Sequence, residues 1–166
     1  MVCYINFKID GRDLMINEDN PEDVKIWKNN KYNNPFWKQL KIQTELNGYK
    51  RIYIGLKKYQ LHRVNYYAHN PTWDIHNSST DNSIDHEDRN KTNNHIENLR
   101  IVTCQENQWN TNAKGYYWDK QKQKWVARIK GANGKSKYLG CFDLEEDARQ
   151  AYLTAKEIYH VIPNRK

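Results

Sequence analysis

Over the last third of the chain, apolar and polar residues alternate in three short runs, Tyr116–Asp119, Lys124–Lys130 and Ser136–Phe142. This is the period of strands that cover one face. Gly131-Ala132-Asn133-Gly134 makes a tight turn between the last two. The period then lengthens. From Asp143, expected at the N-cap with Glu146 three residues on, a helix is predicted whose apolar face is Leu144, Ala148, Ala151, Tyr152, Ala155 and Tyr159. Alternation in the middle strand assigns Trp125, Ala127 and Ile129 to the helix-covered side, and Val126, Arg128 and Lys130 to an open, basic side.

Upstream the patterns are shorter. Residues 49–54 and 59–67 are rich in β-branched and aromatic side chains and read as two strands, or as a strand and a helical turn, broken near 55–58. Residues 70–82 form a polar loop, 99–103 a short apolar strand, and 105–112 a helix with Thr103 as N-cap and Glu106 completing a capping box. Residues 1–47 mix short apolar runs with Asn and charge, with a turn at Asn33-Asn34-Pro35 and no assignable chemistry. Trp27 and Trp37 are expected in the core of this small appended unit. The fold class is α+β, with divisions at 1–48, 49–112 and 113–166.

Composition narrows the function. Only 37% of the 166 residues are apolar, mean hydropathy is -1.11, and no apolar run approaches the ~20 residues that cross a bilayer. The first residues lack the continuous apolar stretch of a secretion signal, so an intracellular protein, neither secreted nor membrane-bound, is expected. Cys3, Cys104 and Cys141 are too few and too scattered for a disulfide framework or a thiolate zinc site. Aromatic content of 13% nevertheless supplies enough large rings for folded cores.

The net charge of +7 is unevenly placed. Residues 114–137 hold eight Lys or Arg against Asp119, and residues 25–63 hold ten against Glu45. Two basic blocks flanking an acidic stretch suggest phosphate-facing surfaces around a site that could hold a cation. The acidic stretch is 74–106, and residues 84–112 carry the densest set of functional side chains. Asp85 offers a hard oxygen ligand beside His86, whose imidazole accepts protons near neutral pH. Neighbouring side chains on a strand point to opposite faces, so the two serve one site only if the strand ends or bends there.

The run Asp85-His86, Asn90-Lys91-Thr92-Asn93-Asn94, Ile96-Glu97-Asn98-Leu99 and Glu106-Asn107 resembles the HNH family of metal-dependent DNA endonucleases, especially the homing type of phages and viruses. Leu61-His62-Arg63-Val64 matches the strand with which that domain often begins. The resemblance implies a strand-strand-helix metal finger in which His86 is the general base, Asp85 and Asn107 hold one Mg²⁺ (or Mn²⁺), and Asn98 fixes the loop that orients His86. The reaction implied is phosphodiester hydrolysis, leaving 5′-phosphate and 3′-hydroxyl ends. The zinc-stapling cysteine pairs of some relatives are absent from this sequence.

Gly115, the run Lys124-Trp125-Val126-Ala127-Arg128-Ile129, Tyr138-Leu139-Gly140-Cys141-Phe142 and Glu146-Asp147-Ala148-Arg149-Gln150-Ala151-Tyr152 resemble the ethylene-response-factor (Apetala) type of DNA-binding domain. That likeness implies groove contacts by Tyr117, Asp119, Arg128, Lys130, Ser136 and Tyr138 on double-stranded DNA, with the protein acting as a monomer or homodimer. A catalytically silent DNA-binding regulator is the alternative from another class.

Overall fold

A computed structural model describes residues 2–163. The chain divides into two compact units, the first ending at Ile101 and the second beginning at Val102.

The first unit opens with a four-stranded antiparallel meander, β1 (Tyr4–Ile9), β2 (Arg12–Asn17), β3 (Val24–Asn29) and β4 (Pro35–Gln39), in sequential order. A three-stranded sheet follows, β5 (Gln43–Thr44), β6 (Lys50–Ile54) and β7 (Lys57–Gln60), and then helix α1 (Leu61–His69). The hairpin of β8 (Ser83–His86) and β9 (Leu99–Val102) comes last. Leu14, Ile16, Val24 and Ile26 from the meander share one core with Ile52, Ile54, Leu61, Val64, Ile84 and Leu99.

Three expectations need correction. Residues 1–48 do not form a separate appended unit, because their inward side chains and those of α1 and β8 shield one another in that common core. Trp27 is 41% exposed, and it meets Trp37 edge-on at 5.1 Å on the outer face of the meander, so this pair is not a core element. Leu61-His62-Arg63-Val64 is helix rather than strand. Leu61, Val64, Asn65 and Ala68 fall on one helical face and are buried, and this tertiary burial overrides the local β-propensity.

Two polar devices brace the unit. Arg63 of α1 donates from Nη1 to the Asn82 carbonyl at 2.9 Å and from Nη2 to the carbonyls of Ile75 and Asn77, while its guanidinium lies 4.6 Å from the Trp73 ring centroid. One cation thereby ties down most of the polar loop. Tyr59 of β7 donates its hydroxyl to Asp10 Oδ2 at 2.6 Å, joining the β1–β2 turn to the second sheet.

In the second unit α2 (Cys104–Trp109) starts with the expected capping box: Thr103 Oγ1 accepts the Glu106 N–H at 3.1 Å, and Glu106 Oε2 accepts the Thr103 N–H at 2.7 Å. Beyond it, β10 (Tyr116–Asp119), β11 (Lys124–Lys130) and β12 (Ser136–Phe142) form an antiparallel sheet under α3 (Glu145–Tyr159). Ala148, Tyr152 and Ala155 are the buried positions of α3, and Ile129 packs with Tyr152 and Ala155. The helix begins later than expected: Leu144 is the N-cap, without a side-chain bond, and Asp143 pairs with Lys124 at 2.9 Å. Val126, expected on the open side, is buried between its cross-strand partners Tyr117 and Cys141.

Tyr59 has its pKa pushed up to about 12, by burial first and then by the bond to Asp10. A raised folded-state value means the stabilisation is complete below the unfolded-state pKa of about 10 and is lost as pH rises towards 12. Tyr59→Phe should therefore cost about 1 kcal/mol at neutral pH. Its deficit against the parent should shrink between pH 10 and 12, as read by denaturant titration. Gly115 has φ +68° and its missing Cβ would fall 2.0 Å from the Tyr152 ring, so Gly115→Ala should destabilise the second unit by about 2–4 kcal/mol in thermal melts.

Candidate active site

β8 carries Ile84 into the core and ends at His86, so the strand stops where its two polar residues are needed. Both Asp85 and His86 are buried, and a buried polar side chain is tolerated only when it is partnered. Their partners differ. Asp85 Oδ2 accepts from Arg100 Nε at 3.1 Å and Nη2 at 2.9 Å, a charge-assisted pair across the β8–β9 hairpin that draws on one carboxylate oxygen. Arg100 Nη1 also lies 3.9 Å from Glu87.

His86 faces another set. Its Nε2 lies 3.0 Å from Asn94 Oδ1, and Asn94 in turn donates Nδ2 to the Thr92 carbonyl at 3.3 Å, which fixes which end of the amide faces the ring. Nε2 is then the protonated nitrogen, and the basic lone pair of the neutral imidazole is on Nδ1. Asn94 is 1% exposed, and its backbone carbonyl is held by Asn65 Nδ2 from α1. The His62 ring stands against His86 edge-on at 5.1 Å, and Tyr49 lies 5.9 Å from His86 and 5.2 Å from His62. Lys91 sits over Tyr49 at 4.6 Å and donates to the Asn47 carbonyl at 3.0 Å.

Burial holds the His86 pKa below its ordinary value, against the opposing pull of the Asn94 bond and the charges of Asp85 and Asp88. His62 is pushed down to about 3, mainly by burial and then by His86 and Arg63. At neutral pH both rings are uncharged. His62 packs against His86, and its buried Nδ1 has no hydrogen-bond partner among the described residues.

Asn98 closes the intervening loop. It donates Nδ2 to Asp88 Oδ1 at 2.9 Å and to the Asn93 carbonyl at 2.8 Å, and accepts the Asp88 N–H at 2.9 Å, while its own carbonyl accepts the Glu87 N–H. Asp85, His86 and Asn98 thus belong to the first unit, and Asn107 lies on α2 in the second.

Among the described residues no three His, Cys, Asp or Glu side chains gather as a metal cluster, and the cysteines are free thiols. Asp85 and Asn107 lie in different units, and each offers a hard oxygen, the donor type that suits Mg²⁺ and does not suit a zinc staple.

The profile of the HNH endonuclease family matches residues 59–109. Protein 3.8 of Escherichia phage T7 is 32% identical over 84 residues, which take in 46% of this chain and 69% of that protein. The chain belongs to the HNH endonuclease family. The HNH segment contains Asp85, His86, Asn94, Asn98 and Asn107, and it reaches neither the meander nor the sheet under α3. No solved structure matches the chain.

Of the expected DNA contacts, Tyr117, Arg128, Lys130, Ser136 and Tyr138 are exposed and share one face of the second unit's sheet. Arg128 pairs with Tyr138 across the strands, its guanidinium 5.7 Å from the ring centroid. Asp119 is half-buried, and its Oδ1 accepts the N–H groups of Gln121 and Lys122, so it also builds the β10–β11 turn.

Sequence reasoning passed over Asn94, Asn65, Tyr49 and Arg100. A signal existed for Arg100, since an arginine inside the apolar run Leu99–Val102 asks for a buried acid on the facing strand. Asn94→Ala would leave His86 Nε2 without its acceptor, and it should cost about 1–3 kcal/mol in denaturant-measured stability. The ring nitrogen-15 shifts of His86 should change from those of a single tautomer to those of a mixture.

Proposed function

We propose that this protein is a metal-dependent DNA endonuclease of the homing type, hydrolysing a phosphodiester to 5′-phosphate and 3′-hydroxyl ends. The observation that carries the reading is His86: a neutral, buried imidazole at a strand end, held through Nε2 by Asn94, one position from a carboxylate. Such a ring accepts a proton at Nδ1 from an attacking water, and the orienting bond keeps that nitrogen in place as the water approaches the phosphorus. Asn98, by stapling 88–98, preserves the loop that carries Asn94.

Asp85 and Asn107 are the residues proposed to hold one Mg²⁺ or Mn²⁺, which when bound supplies charge relief at the phosphate and at the departing 3′ oxygen. The second unit is proposed as a reader of double-stranded DNA akin to the ethylene-response-factor type. Tyr117, Asp119, Arg128, Lys130, Ser136 and Tyr138 would face the groove, where Arg meets guanine edges and Lys meets phosphates. A monomer would nick, and a homodimer would break both strands.

One observation favours a second reading. Arg100 already neutralises Asp85, and that pairing opposes cation binding, as in a DNA-binding regulator without cleavage. Supercoiled plasmid incubated with Mg²⁺ or EDTA decides between them. The parent should nick only with metal, and His86→Ala should lower the rate about 10²- to 10⁴-fold while shifting DNA equally well on gels. Equal shifts with no nicking by the parent would support the regulator.

A further inference from the structure

The meander contains a part that its core does not explain. From Trp27 to Gln39 no residue is buried, and only Trp37 is partly covered. β3 and β4 pair through this stretch, Trp27 opposite Trp37, Lys28 opposite Phe36 and Asn29 opposite Pro35, so it is an ordered two-stranded ribbon. Its tip is built with care. The Asn30 side chain accepts the N–H groups of Tyr32 and Asn34, Asn30 and Asn34 close the backbone at 3.0 Å, and Asn33 takes a left-handed φ of 58°.

The two faces of the ribbon differ. One carries the Trp27–Trp37 pair, whose rings brace the strands over a cavity of about 480 Å³ lined also by Asn6, Lys8 and Asp13. The other continues the direction of Ile26 beyond the edge of the core and presents Lys28 and Lys38 with Phe36. Lys31 at the tip lies over the Tyr32 ring at 4.8 Å. Between Val24 and Thr44 the sequence holds five lysines and no acid, and among the described residues only Lys25 of the five pairs with a carboxylate. Lys28, Lys31, Lys38 and Lys41 gain no ion pair from folding, and their like charges repel one another.

We infer that the β3–β4 ribbon is a DNA-contacting arm: Lys28, Lys31 and Lys38 meet phosphates of duplex DNA beside the cut site, and the Trp27–Trp37 pair keeps the ribbon stiff enough to lie along a groove. A two-stranded ribbon has the width that the major groove admits, and lysines at its edges reach the flanking backbones. The inference rests on the nuclease reading for its choice of DNA as partner, and it adds a binding surface outside the family-matched segment.

The test separates the two. Binding of a fluorescent 30-base-pair duplex is measured by anisotropy in EDTA over a range of NaCl, for the parent chain and for Lys28→Gln/Lys31→Gln/Lys38→Gln. Each phosphate contact contributes a slope of about 0.9 in log K against log salt, so the triple variant should lose about 2–3 units of slope and bind on the order of ten- to a hundredfold more weakly at 0.1 M salt. Superimposable slopes would overturn the arm. A change of oligomeric state in light scattering, with the slope unaltered, would also overturn it and make the ribbon a contact between copies. Plasmid nicking by the parent is scored independently: salt-sensitive binding without nicking sinks the nuclease reading alone, and nicking with unchanged slopes sinks the arm alone. Trp27→Phe/Trp37→Phe, which keeps the lysines, should weaken binding with the slope preserved.

Discussion

A histidine sealed at the end of a strand is tolerable only when its ring nitrogens are answered by partners. Asn94 is the partner at Nε2, and much of the loop from 87 to 98 serves to deliver Asn94 to its place: Asn98 draws Asp88 and Asn93 together, and Asn65 grips the Asn94 carbonyl from the helix beneath. Remove the constraint that buried polar groups be paired, and nothing would favour this arrangement of asparagines over many others. Satisfying the pairing also selects which nitrogen carries the proton. Structural accounting and chemical competence are therefore one requirement at this position.

The sequence was most legible where a local rule had a single outcome. Thr103 and Glu106 stand three apart before a helix and form the reciprocal cap, and alternation set the three strands under α3. It was least legible where distant burial decides. Leu61 to Val64 has the composition of a strand and becomes helix because Leu61, Val64 and Ala68 must share one face of the common core. Trp27 and Trp37 look like core by residue type and face outward because Ile26, Leu14 and Val24 already fill the inner side. For the site, Asp85-His86 stood out as a pair, but with twenty-one asparagines in the chain no single amide could be picked by type, and Asn94 emerges only from its partners. Asp85 shows the converse: its ion pair with Arg100 depends on strand register, which short apolar runs specify weakly.

Charge and apolar burial divide the labour in this molecule. The cores are small and made largely of aliphatic side chains, and exposed positive charge gathers on the sheet face with Arg128 and Lys130 and on the ribbon with Lys28, Lys31 and Lys38. Arg63 and Arg100 are instead turned inward, as ties for backbone carbonyls and for Asp85. Between them they anchor the two segments that run into and out of β8.

The shared core of the first unit has an evolutionary corollary. Because Leu14, Ile16, Val24 and Ile26 shelter the same interior as Leu61, Val64 and Ile84, the family-matched segment is not a cassette that recombination can lift out by itself. A gene fusion that inherited it alone would expose the aliphatic backs of α1 and β8, so shuffling of this lineage is expected to carry the meander along or to replace it with another apolar cover.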